Sequence, residues 1–122
     1  MKTIGYFEGT PAELLTRMNL LGVDVFPIGN VWDNYGKNVE IITKTDVDLI
    51  IGWTHKVLPV HGVTRTAKDL LWTAQTLNIP IILLAPSELY DNAKKAIGDA
   101  VAFASIVDPK QAEDKIKEIL KL

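Results

Sequence analysis

Four short runs of Ile, Val, Leu and Phe divide the chain, at Thr3 to Phe7, Val23 to Ile28, Val47 to Gly52 and Ile79 to Ala85. They are apolar throughout rather than alternating with polar residues, which is the pattern of strands covered on both faces. A weaker fifth run spans Ala100 to Val107. Segments with helical spacing lie between most of these runs. Strands that alternate with helices assemble a mostly parallel sheet through right-handed crossovers.

The helical segments carry their own punctuation. Thr10-Pro11-Ala12-Glu13 places a capping hydroxyl, a Pro at the first helical position and a Glu three residues after the cap, so a first helix is expected from Thr10. Leu14, Leu15, Met18 and Leu21 form its apolar face, and Gly22 ends it. A second helix is expected from about Thr66 to Leu77. Ser87 is placed to cap a third, and Asp108-Pro109 opens the last. The pattern predicts an α/β fold: a three-layer αβα sandwich with a five-stranded, flavodoxin-like or Rossmann-like sheet in the order 2-1-3-4-5.

One stretch departs from this regularity. Asn30-Val31-Trp32-Asp33-Asn34-Tyr35-Gly36-Lys37-Asn38 holds too many turn formers for the crossover helix a regular fold would place there. Val39-Glu40-Ile41-Ile42-Thr43 reads as an extra strand, 39–43, paired with the end of strand two. At 122 residues the whole chain, 1–122, fits a single domain.

Composition removes several function classes. With no cysteine, the chain has no disulfide, thiolate nucleophile or thiolate metal ligand. Thirteen basic against fifteen acidic residues leave no general basic footprint, so bulk nucleic-acid binding is not expected. No apolar run approaches the roughly 20 residues of a membrane-spanning helix. The opening apolar run is too short for a signal peptide, which predicts a cytoplasmic protein.

Charge is unevenly spread. Leu49 to Lys68 contains no Asp or Glu, yet it holds Lys56, Arg65, Lys68 and both histidines, His55 and His61. This stretch follows a strand, and open parallel sheets bind ligands at the carboxyl ends of their strands, where the strand order reverses. In the expected order that point lies between strands one and three. It joins Glu8, Gly9 and Thr10 to Trp53, Thr54, His55 and Lys56, with Asn30 at the end of strand two.

Three functions fit these residues. The leading one is a site for a small anionic or nucleotide-like ligand, with amides after Gly9, charge from Lys56, Arg65 or His61, and Trp53 stacking on a ring. The second is a small hydrolase or transferase in which Glu8 and His55 share a proton as catalytic residues. The third is an interaction subunit docking through the apolar loop Val57 to Val63. Trp72, which falls off the Leu70, Leu71, Ala74 face, adds to an expectation of a homodimer.

No metal is expected. The five residues between His55 and His61 match no ligand spacing, and Pro59 extends the path between them. No motif names a cofactor. The acidic pair of response-regulator receivers, the Ser/Thr-rich phosphate loop of flavodoxins and the cysteine of thiol-dependent phosphotransfer subunits are all missing.

Overall fold

The computed structural model describes residues Met1–Leu122. Six strands, β1 (Thr3–Tyr6), β2 (Asp24–Gly29), β3 (Lys37–Asn38), β4 (Leu49–Trp53), β5 (Ile81–Leu84) and β6 (Ala104–Val107), form one sheet in the order β3-β2-β1-β4-β5-β6. Every neighbouring pair runs parallel. The helices are α1 (Ala12–Leu20), α2 (Ala67–Leu70), α3 (Trp72–Thr76), α4 (Tyr90–Ile97) and α5 (Ala112–Leu120).

Successive strand residues point to opposite faces, and the apolar runs supply both sides. Ile50 and Leu83 join the cluster under α2, α3 and α4, together with Phe7, Leu70, Leu71 and Ile97. Ile51, Ile82 and Leu84 join the opposite cluster, with Leu14 and Met18 of α1 and Ile116 and Leu120 of α5. Two cores on one sheet make the three-layer sandwich. No helix is long and apolar enough to cross a membrane.

The sheet has six strands where five were expected. The five main strands keep the expected order, and the added one lies outside β2, pairing Ile28 with Lys37 and Gly29 with Asn38. It occupies Lys37–Asn38 rather than 39–43. Asn34 at φ 50° and Gly36 at φ 60° let the chain curl back and run beside β2 in the same direction. The Asn38 side chain then accepts from the Glu40 amide, which turns Val39–Ile41 into a 3₁₀ turn. Gly29 is required here, because a Cβ on it would stand 1.9 Å from the Tyr35 carbonyl oxygen.

Helix ends differ in detail from the sequence expectation. Pro11 stands at the cap of α1, and the Thr10 hydroxyl donates to the Phe7 carbonyl at 2.7 Å instead of capping. The second helix is broken at Leu71, giving α2 and α3, with Thr66 and Asp69 forming a reciprocal capping box. Ser87 provides no side-chain cap; its amide donates to Asp108 Oδ2 at 2.9 Å. Asp108 does cap its own turn, accepting from the Lys110 amide.

Candidate functional site

The chain winds outward from β1 through β2 to β3, then crosses back to β4 and continues to β5 and β6. Strand order therefore reverses between β1 and β4, and their carboxyl ends flank a crevice. From β1 come Glu8, Gly9 and Thr10. From β4 come Trp53 and the 3₁₀ turn Thr54–Val57. The loop after β2 brings Asn30 and Asp33.

These residues are tied together. Lys56 Nζ donates to Glu8 Oε1 at 2.9 Å and to Asp33 Oδ2 at 2.8 Å, linking the loops after β1, β2 and β4. Its pKa is raised by Asp33 first and Glu8 second. The buried Asn30 side chain sets the position of both Lys56 and Asp33. Its amide nitrogen donates to the Lys56 carbonyl at 2.8 Å and to Asp33 Oδ2 at 3.2 Å, and its oxygen accepts from the Trp32 and Asp33 amides. Lys56 thus serves as a strut between two carboxylates, and the three charges sum to one negative.

Trp53 joins β1 to β4 by donating its indole N–H to the Gly9 carbonyl at 2.8 Å. Gly9, at φ 87°, has Trp53 Cδ1 and Lys56 Cε each 3.9 Å from where a Cβ would stand. Thr10 is buried and satisfied within its own turn. Thr54 is buried too, its hydroxyl donating to the Leu84 carbonyl at 2.9 Å, which fixes the end of β4 against β5. Both threonine hydroxyls therefore donate to the backbone.

His55 is exposed and makes no side-chain hydrogen bond, and Glu8 bonds to Lys56 rather than to His55. His61 lies in an exposed turn. Arg65 pairs with Glu40 at 2.7 Å and borders a separate hollow with Lys68 and Gly98. Neither residue joins the switch-point cluster. The 57–63 loop folds back in part: Val57 is fully buried and Leu58 packs on the core, whereas Val60 remains exposed. No three His, Asp or Glu side chains are grouped to hold a metal ion.

Beyond the strut, the same edge opens into an apolar groove of about 290 Å³ between the ends of β4 and β5 and the flank of α4. Trp53, His55, Leu58, Leu89, Asn92 and Ala93 are among its lining residues. Tyr6 and Tyr35 stand on the other side, their rings 6.2 Å apart and edge to face. The Tyr6 hydroxyl, then burial, pushes the Tyr35 phenol up to about 12. Sequence reasoning did not reach the groove or the Asp33–Lys56 bond. The groove joins the stretch 53–58 to 84–96, and the strut joins the loops after β1, β2 and β4; no local spacing marks either.

No protein-family model matches this chain, and a search of curated proteins finds no similar sequence.

Proposed function

We propose that this domain is a binding module for a small molecule with a flat, mainly apolar ring and one polar or anionic end, nucleotide-like in that sense. The observation that carries the reading is the position of Trp53. Trp53, whose indole donates to Gly9 at the end of β1, is also one of the residues that line the apolar groove between β4, β5 and α4. A groove at a topological switch point is the common ligand position in open α/β sheets.

The groove of about 290 Å³ accepts one ring system. Leu58, Leu89 and Ala93 offer apolar contact, and Trp53 closes the groove toward β1. His55 and Asn92 supply hydrogen-bonding groups for the polar end. Next to Trp53, α1 begins with no side chain capping its first turn, and open first-turn amides favour a negative group. Lys56 contributes indirectly, by holding the loops in place. Catalysis is not part of the reading, because Glu8 is engaged by Lys56 and has no bond to His55.

Isothermal titration with adenosine, AMP and indole tests the reading. Ala96 is exposed on α4 and lines the groove, so Ala96→Trp fills it from the helix surface without entering the core. At least one ring probe is expected to bind the parent chain and to lose affinity in this variant, with the unfolding midpoint unchanged. AMP binding more tightly than adenosine would support the anionic end. No heat from any probe, or full affinity in Ala96→Trp, would reject the site.

A further inference from the structure

We propose that the outer edge of β6 is the seam of a homodimer, pairing antiparallel with the same strand of a second copy. The register pairs Leu84 with Val107, and the Ala85 amide donates to the Val107 carbonyl. The N–H and C=O groups of Val107, and of Ser105 two residues earlier, therefore face β5. Those of Ile106 face outward, where the sheet has no further strand. An open strand edge of this kind is a template for another chain.

The two edges of the sheet are not equivalent. β3 has two residues, one of them Lys37, so its edge is short and charged. β6 reads Ala104-Ser105-Ile106-Val107 and carries neither a charge nor a proline. Just past it, the next outward-facing amide, that of Asp108, already donates to the Tyr90 hydroxyl at 2.6 Å, so the outward groups left for pairing centre on Ile106. Beside it runs a groove of about 550 Å³ lined by Ser105, Ile106 and Tyr90 and, from α5, by Asp114, Lys115 and Glu118.

The charges of that groove select the occupant. A two-fold axis that pairs β6 with β6 also sets the α5 helices side by side and antiparallel, so each residue meets a different position on the other copy. Lys115 then faces the acidic side chains of the second α5, and the same contact repeats across the axis. Within one chain Lys115 is held only by Glu118 at 3.8 Å, a long pair that is readily exchanged. A surface carrying both signs on one helix face is self-complementary, which favours a second copy over a partner of single charge. The two six-stranded sheets join into one.

Sedimentation velocity on the whole chain decides the matter, run from about 10 μM to about 1 mM, where interfaces of this modest size associate. The expected result is a concentration-dependent rise from the 13.5 kDa chain toward twice that mass. Lys115→Glu should weaken association at least about tenfold by setting like charges together. The charge-swapped variant Lys115→Glu/Glu118→Lys should restore it. Ile106→Pro, checked for native circular dichroism, removes the outward donor and should also give monomer. A chain that stays at 13.5 kDa throughout overturns the proposal, including the case in which the edge takes an extended peptide from another protein. A dimer that Lys115→Glu and Ile106→Pro both leave intact overturns it as well.

Discussion

Replacing Lys56 by Met removes the charge that joins three loops while keeping most of the apolar stem. The two arms of the strut are unequal. The Lys56 side chain is only 12% exposed, and its partners differ, Asp33 at 23% and Glu8 at 52%. A solvent-exposed ion pair contributes under about 1 kcal/mol, so the Glu8 arm is assigned about 0.5 kcal/mol or less. A charge-assisted hydrogen bond in a drier setting contributes about 1.5–3 kcal/mol, and partial exposure puts the Asp33 arm near the lower end, about 1.5 kcal/mol. Lys56→Met should therefore cost about 2 kcal/mol in all. The assay is urea unfolding followed by tryptophan fluorescence, in double-mutant cycles with Asp33→Asn and Glu8→Gln. The Asp33 cycle should give the larger coupling by about 1 kcal/mol. A Glu8 coupling equal to or above that of Asp33, or a Lys56→Met variant as stable as the parent, would refute the assignment of Lys56 as a half-buried strut.

Two further outcomes follow from the same geometry. A Cβ at Gly52 would stand 2.6 Å from Phe7 Cδ2 and 2.9 Å from its Cβ, and Phe7 is 1% exposed. Gly52→Ala should thus cost about 1–3 kcal/mol by overpacking, seen as a lower urea midpoint, and an unchanged midpoint would contradict the contact. The second concerns alkaline pH. The Tyr6 hydroxyl and burial push the Tyr35 phenol up to about 12 from its ordinary 10.0, and the Asp33 and Glu8 carboxylates raise Lys56 as well. Raised folded values favour the protonated forms, so their stabilisation is complete below about pH 10 and is lost as pH rises toward 12. Tyr35→Phe should flatten that loss in pH-dependent unfolding, whereas an unaltered profile would show that Tyr35 is not its source.

The candidate site was legible in part. Glu8, Gly9, Trp53 and Lys56 do meet at the β1–β4 crevice, because the apolar runs mark the strand ends and the usual doubly wound order sets β1 beside β4. The role of Lys56 was not legible: whether its ammonium faces a ligand or a carboxylate depends on Asp33, brought in by a loop whose path rests on two positive-φ residues. Thr10 carried every local mark of a helix cap, yet its hydroxyl turns back to the Phe7 carbonyl and Pro11 takes the capping position.

By itself the sequence determined the layers. Continuous apolar strands must be covered on both sides, and the helical stripes between them supply the cover, so the sandwich is a consequence of burial along the chain. Tertiary structure alone decided the partners. The β3 pairing, the Lys56 strut and the groove beside Trp53 each join residues from separate segments. Their energies come from hydrogen bonds and contacts that exist only once the sheet has set those segments side by side.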